Sequence, residues 1–362
     1  MNAITVVIGN YNYERFIGEA IESALAQENA DVLVIDDGST DCSREIIDRY
    51  GERVRKVYKA NQGQSSVYNL GLALVQTEFV LFLDSDDVLY PDATRETLRA
   101  FASGDFVKVQ FRLDVIGEDG ERTGAYVPNS TPPTDCAALL RRGWLYPSPP
   151  ASGNAYRVSA LRSVFPIPLQ KQHRKAADFF AIYGVALTGR ICALATPLGG
   201  YRVHHKAQGR TGESAGQVSL AIGNCETSAD VESSFPWRWQ NLRAMVRASL
   251  NIELAPKFHD FSYEKNRLCL HFYEAPTMHR WRALMFDANP YFHSLLFNPF
   301  WGARKKAGAI VLTLLCLAPS RRLSRFAIRY IANPVTRSED REIAERRLGA
   351  RRRSSRMTHD GP

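Results

Sequence analysis

Short apolar runs alternate with amphipathic stretches over the first hundred residues of the chain. Runs rich in β-branched and aromatic residues predict buried strands at 4–8, 32–35, 54–58 and 79–83. The stretches around them predict helices at 16–25, 43–50, 65–75 and from Pro91 to Phe101. Because strands that alternate with helices are typical of βαβ units, we expect an α/β fold with a mostly parallel sheet.

The local sequence also predicts finer details. Ser43 is a candidate cap of the second helix, with Thr40 and Asp41 as alternatives, because such side chains accept hydrogen bonds from backbone N–H groups at a helix start. In the third helix we expect the inward face to carry Val67, Leu70, Ala73 and Leu74. The pattern after residue 105 is less regular, and it predicts a strand at 106–113, a loop at 128–150 and helices at 158–164 and 176–188.

Polar clusters follow each of the four predicted strands, at 9–12, 36–41, 61–64 and 84–87. In open α/β sheets, ligands bind in the crevice outside the carboxyl ends of the strands. We therefore expect these four clusters to line one shared site.

The most informative cluster contains Asp84, Asp86 and Asp87. Carboxylates are hard oxygen ligands that suit Mg²⁺ or Mn²⁺, and such an ion neutralises a departing diphosphate. The alternative is a solvated acidic loop that caps the following helix. In the second cluster, a carboxylate such as Asp36 can accept a hydrogen bond from a uracil ring or a ribose, or it can form an Asx turn. Tyr11 offers a flat face for base stacking, or it serves in packing.

Charge is unevenly distributed along the 362 residues. The 46 Lys and Arg exceed the 38 Asp and Glu by 8, and residues 301–362 alone hold 15 cations and 5 anions. The first 300 residues therefore carry about −2, which excludes a uniformly basic nucleic-acid binder, and we expect no specific nucleic acid. The six cysteines are scattered, which argues against a zinc site or a disulfide framework.

Four segments together resemble family 2 glycosyltransferases of the GT-A fold. They read VVIGNYNYERFIGEAIESALAQ, VLVIDDGSTD, NQGQSSVYNLGLALVQTEFVLFLDSDD and GGYRVH, and the resemblance covers roughly residues 3–205. It implies an α/β GT-A sheet flanked by helices, with a C-terminal helical extension. It also implies transfer of a sugar from a nucleotide diphosphate donor, most simply a UDP-sugar, to an acceptor hydroxyl with inversion. Gly9-Asn10 departs from the Pro-Thr that many members carry.

The resemblance also implies roles for individual residues. Asp178 is the expected general base, with Ala177 in place of the usual acidic neighbour and with Asp114 and Asp135 as rivals. Mn²⁺ or Mg²⁺ is expected on Asp86, Asp87 and His204, with His205 as the alternative imidazole. The acceptor-side loop is expected to use Gly153 and Asn154. The expected donor-binding residues are Gly9, Tyr11, Asp36, Asp37, Gly63, Asn69, Asp84, Asp86 and Arg202.

The expected division is a GT-A domain at 1–210, a helical extension at 211–335 and a basic tail at 336–362. Within the first, 1–115 would bind the nucleotide and 116–210 the acceptor, a glycan or a lipid-linked molecule. The apolar run at 307–318 is too short to span a bilayer, which needs roughly 20 residues. Aromatic and basic residues at 300–330 suit binding to an anionic membrane surface. The alternative is a helix that packs on the core with its arginines exposed to solvent. We expect a cytoplasmic protein, peripheral at the inner face of the membrane.

Three other interpretations compete with transfer. A catalytically silent GT-A protein that binds nucleotide sugars as a scaffold is the main alternative, and the alanine at position 177 favours it. A nucleotidyltransferase or a Rossmann dehydrogenase is disfavoured, because no Gly-rich phosphate loop follows the first strand.

Overall fold

A computed structural model gives the fold, and it describes residues 2–169, 176–204, 228–273, 276–286 and 288–332. The chain divides into two compact units. The first contains 1–114, 126–202 and 229–260, and the second contains 115–125, 203–228 and 261–362. The domain boundaries expected from the sequence stay a prediction. The expected basic tail at 336–362 and the 211–227 part of the helical extension lie outside the described residues.

The first unit begins with the predicted strand and helix alternation. Strands β1 to β4 are Ile4–Asn10, Ala30–Asp36, Arg55–Tyr58 and Phe79–Asp84. Helices α1 to α4 are Ile17–Leu25, Ser43–Asp48, Gln64–Leu74 and Ala93–Ala102. The apolar side chains of β1, β2 and β4 are almost entirely buried, and alternate ones such as Ile8, Val34 and Leu81 share one core with α1 and α4, so burial of this surface stabilises the layers.

The remaining elements of the chain complete the sheet and add helices. The further strands β5 to β9 are Val88–Leu89, Phe106–Ile116, Arg122–Val127, Asn154–Arg157 and Arg190–Arg202. Helices α5 to α8 are Ala137–Arg141, Val158–Arg162, Ala177–Val185 and Ser228–Leu250. Helices α9 to α13 are Phe261–Tyr273, Thr277–Phe286, Asn289–Leu296, Ala303–Cys316 and Arg321–Ala332.

The sheet is mixed. Its strand order is β3-β2-β1-β4-β8-β6-β9-β5, with β7 beside β6. The β3-β2-β1-β4 part is parallel, whereas β8 runs antiparallel to both β4 and β6, and β5 runs antiparallel to β9. The predicted α/β class with a C-terminal helical region is confirmed, and the parallel half is the part that the first hundred residues predicted.

Several local expectations need correction. Ser43 is the first residue of α2 and not its cap, because Asp41 Oδ1 accepts the Ser43 N–H at 3.0 Å. Ala73 is exposed, and α3 instead buries a face that includes Gly71 and Leu72. The expected loop at 128–150 contains the short helix α5.

The described helices of the second unit pack around small apolar cores of their own. One cluster joins α9, α12 and α13 through residues such as Phe272, Cys316 and Ile328. A second cluster centres on Tyr291 and Leu295 of α11. Within the described residues, no helix is long and apolar enough to cross a membrane.

Candidate active site

The loops after β1 and β2 are tied to each other by buried hydrogen bonds. The Asn10 amide donates to Asp36 Oδ2 at 2.9 Å and to Ser39 Oγ at 3.1 Å. Asp36 also accepts from the Ser39 N–H and from Arg44 Nε. Burial raises the pKa of Asp36, but these hydrogen bonds outweigh it and hold the pKa below its usual value. Asp36 therefore organises the loop, and Tyr11 beside it stays 46% exposed.

Asp37 holds the third loop in place. Its carboxylate accepts the N–H groups of Gln62 at 3.0 Å and Gly63 at 2.7 Å, and it pairs with the Lys59 ammonium. Gly63 adopts φ +88°, a left-handed conformation that favours glycine. The side chain of Asp37 is buried, so the structure shows it shaping this rim. Contact of Asp37 or Gly63 with a nucleotide stays a prediction.

The loop after β4 is fixed by Ser152 and Arg202. Ser152 Oγ accepts the Asp84 N–H at 3.1 Å and donates to Asp87 Oδ2 at 2.6 Å. The other oxygen of Asp87 accepts the Arg202 N–H at 2.8 Å. Asp87 is thus buried with both carboxylate oxygens engaged, which makes it an anchor of this loop.

Arg202 is almost fully buried and spans three elements. Its Nε donates to the Asp86 carbonyl at 2.7 Å, and its Nη2 pairs with Glu19 of α1 at 2.6 Å. The guanidinium also lies 5.0 Å from the centre of the Phe16 ring. These contacts position the acidic loop, and the predicted role of Arg202 in donor binding stays untested.

Gln64 connects the acidic loop to the predicted base. Its Oε1 accepts the Ala177 N–H at 3.0 Å, and its amide donates to the Asp84 carboxylate. Asp178 follows in the first turn of α7, whose preceding residue Ala176 adopts φ +70°. The structure therefore brings Asp84 and Asp178 to the same place from distant parts of the chain.

Neighbouring acidic side chains raise the pKa values of Asp84 and Asp87. Burial raises the pKa of Asp84 well above its usual value, and the charges of Asp86 and Asp178 raise it further. Burial and the charges of Asp86 and Asp84 do the same to Asp87. Concentrated negative charge in a desolvated place favours a bound cation.

The donor set fits a divalent cation that shares its coordination with substrate. Among the described residues, no three His, Cys, Asp or Glu side chains already form a metal-binding group. Mg²⁺ is usually held by one or two carboxylates and completes its shell with water and phosphates. Asp86 and Asp87 stay the predicted carboxylate ligands, and the structure shows Asp87 accepting hydrogen bonds from Ser152 and Arg202. His204 follows β9 directly, and the alternative His205 lies outside the described residues.

Burial also acts on Asp178, and a nearby cation opposes it. Burial raises the pKa of Asp178, whereas the positive charge of Arg238 lowers it. Arg238 belongs to α8, where Phe235 and Trp237 lie edge-on to rings of α7, at 5.9 Å from Phe179 and 6.4 Å from Phe180. Helix α8 thus adds a charged residue to the site.

Other predicted site residues have structural partners. The Asn69 amide donates to the Ile167 carbonyl at 2.8 Å and accepts the Ile167 N–H at 2.9 Å. Asn154 is fully buried and donates to the Pro150 carbonyl at 2.7 Å. A Cβ on Gly153 would lie 2.9 Å from the Phe111 carbonyl oxygen, and one on Gly9 2.8 Å from Val67 Cγ1. Their ligand contacts stay predictions.

The rival carboxylates lie in different surroundings. Asp114 accepts a hydrogen bond from the Tyr90 hydroxyl at 3.0 Å. Asp135 is exposed and accepts the Ala137 N–H at 3.1 Å, as at the start of a helix. Neither carboxylate is among the charges that act on Asp84 or Asp178.

Comparison with known proteins finds a family match within the first half of the chain. The family described as Glycosyl transferase family 2 matches residues 5–165. Residues 5–165 therefore resemble glycosyltransferase family 2. An uncharacterized glycosyltransferase of Nostoc sp. is 39% identical over 209 residues, which are 56% of this chain and 65% of that protein. One of Haemophilus influenzae is 36% identical over 27% of this chain and 42% of its own length. The chain thus spans less than two thirds of these curated relatives.

Two solved structures resemble the chain at low sequence identity. The Staphylococcus aureus TarS fragment 1–349 in complex with UDP is 16% identical, with 96% of this chain and 91% of that chain covered and a TM-score of 0.48. The mannosyltransferase PcManGT of Pyrobaculum calidifontis, in complex with GDP-Man and Mn²⁺, is 15% identical, with 92% and 86% covered and a TM-score of 0.47.

Proposed function

We propose that this protein is an inverting glycosyltransferase that moves a sugar from a nucleotide diphosphate sugar, a UDP-sugar, to a hydroxyl of a glycan or lipid-linked acceptor. The observation that carries the proposal is the meeting of Asp84 and Asp178, linked through Gln64, at the carboxyl edge of the parallel strands. This reaction needs two parts: an acidic loop that binds the donor, and a separate carboxylate that accepts the proton of the acceptor hydroxyl.

The residues divide the work as follows. The exposed ring of Tyr11 offers a stacking face to the base, while Asp36 and Asp37 hold the loops around it. Asp86 would hold Mn²⁺ or Mg²⁺, which when bound neutralises the leaving diphosphate as a Lewis acid. Asp178 takes the proton from the attacking acceptor hydroxyl while the bond between the sugar and the diphosphate breaks.

The catalytically silent scaffold is the second candidate, because α7 begins with Ala177 where the family resemblance implies an acidic side chain. A direct test is binding and hydrolysis of a panel of UDP-, GDP- and TDP-sugars by the full chain with Mn²⁺. We expect one donor to raise the melting temperature, since a ligand that binds only the folded state stabilises it. Donor binding without turnover on any acceptor would favour the scaffold. If none of the donors bound, both candidates would be excluded.

Arg238 gives the proposed base a testable pH dependence. A base must be deprotonated to act, so kcat/KM falls as the pH drops through the pKa of Asp178. Arg238→Gln removes the charge that lowers this pKa, so the acidic limb of the profile should move to higher pH. Arg243→Gln on the same helix is the control, because Arg243 donates to the Leu254 carbonyl and does not act on Asp178. Equal profiles for the two variants would contradict the assignment.

A further inference from the structure

Exposed apolar side chains are concentrated in the second unit. Of the thirteen large apolar side chains that lie exposed in the described part of the chain, nine belong to residues 278–326. Met278 is 81% exposed and Phe297 is 65% exposed. Single exposed apolar residues are ordinary, whereas a concentration of them marks an interaction surface.

Helix α10 presents such residues along one face. Met278, Trp281 and Met285 are three and four positions apart, which places them on the same side of a helix. Arg280 lies on the other side, where it is buried and donates to the Cys316 carbonyl at 3.2 Å. The apolar stripe of α10 therefore points away from the core of the unit.

Helices α12 and α13 pack against each other and show the same arrangement. Val311 and Leu314 of α12 are exposed three positions apart, while Cys316 faces the core. In α13, Leu323 and Phe326 are exposed, and Ala327 and Ile328 are buried in that core. Each of the two helices thus buries apolar residues in the core and exposes further apolar residues to solvent.

The charge around these residues is strongly positive. Residues 276–332 contain nine Lys and Arg but a single acidic residue, Asp287. On α13, Arg322 and Arg325 are exposed beside Leu323 and Phe326. Apolar residues interleaved with cations match the headgroups and acyl chains of an anionic bilayer.

We propose that the exposed stripes of α10, α12 and α13 form a lipid-docking face that lies in the headgroup layer of an anionic membrane. Because α10, α12 and α13 have 10, 14 and 12 residues, fewer than the roughly 20 that a bilayer span needs, these helices would lie in the interface with their aromatic and aliphatic side chains inserted. The inference goes beyond the proposed transfer reaction and does not depend on it.

Sedimentation of the full chain with vesicles tests the proposal. We expect binding to phosphatidylcholine vesicles that contain phosphatidylglycerol, little binding to phosphatidylcholine alone, and weaker binding at high salt. Arg322→Glu with Arg325→Glu should weaken partitioning by at least about fivefold for each cation lost. Leu314→Ser with Phe326→Ser should weaken it by about tenfold or more, since inserted apolar area is lost.

Matched controls lie in the first unit. Leu169→Ser changes another exposed apolar side chain, and Arg99→Glu changes another exposed cation, so neither should alter vesicle binding. If Leu314→Ser with Phe326→Ser bound as tightly as the wild-type chain, attraction by charge alone would explain binding, and the docking face would be disproved. A different outcome would also overturn the proposal. If the wild-type chain self-associated but did not bind vesicles, and if Leu314→Ser with Phe326→Ser abolished the self-association, the face would bind a second copy of the chain. Donor binding and turnover in the absence of vesicles should be unchanged, which separates this test from that of the transferase.

Discussion

Asp178→Asn should lower the rate of sugar transfer by about 10²–10⁴-fold, the contribution typical of a general base. Asparagine keeps the size and shape of aspartate but does not accept a proton at neutral pH. Because Asp178 is assigned to the acceptor and not to the donor, the affinity for the nucleotide sugar should stay close to that of the wild type. Initial rates with a saturating acceptor, together with calorimetric donor titration, measure the two quantities separately.

The rival carboxylates supply the controls for this experiment. Asp135→Asn changes an exposed side chain at a helix start and should leave the rate unchanged. Asp114→Asn keeps a partner for the Tyr90 hydroxyl and should also have little effect. If Asp114→Asn instead abolished transfer while Asp178→Asn did not, the base would belong to β6. If no variant changed a rate that the wild type shows, transfer would use none of these carboxylates.

The parallel half of the fold was predictable because its signals are local. Strands β1, β2 and β4 are short runs of apolar residues, and each ends in polar residues at one edge of the sheet. The DxDD sequence at the end of a predicted strand was therefore enough to predict the position of the acidic loop at the edge of the sheet.

The strands and contacts that complete the site have no such local signal. Strand β8 is four residues long and lies between β4 and β6 because of long-range pairing. Gln64 meets Ala177 across 113 positions, and Arg202 meets Asp87 across 115. Such partners depend on how distant elements pack, so the sequence indicated Arg202 as a donor-binding residue without revealing its contacts, and it gave no role to Gln64.

Asp86→Asn is expected to have opposite effects on metal binding and on stability. Loss of a carboxylate ligand should weaken Mn²⁺-dependent binding of a nucleotide diphosphate on the order of 10²-fold, since a metal contributes several kcal/mol to such sites. Without metal, the same change should raise the melting temperature at neutral pH, because the charge of Asp86 raises the pKa of both Asp84 and Asp87. A carboxylate whose pKa is raised by folding destabilises the fold increasingly as the pH rises through that pKa.

Asp87→Ala is the matched comparison in the same loop. It also removes a negative charge, but it leaves the Ser152 hydroxyl and the Arg202 N–H without their acceptor, at a cost of about 1–3 kcal/mol for each donor. We therefore expect Asp87→Ala to lower the melting temperature and Asp86→Asn to raise it when both are measured without metal. Thermal unfolding with and without Mn²⁺ and UDP decides between the two roles. If Asp87→Ala instead raised the melting temperature and abolished only the stabilisation by Mn²⁺, Asp87 would be the metal ligand and Asp86 would support it.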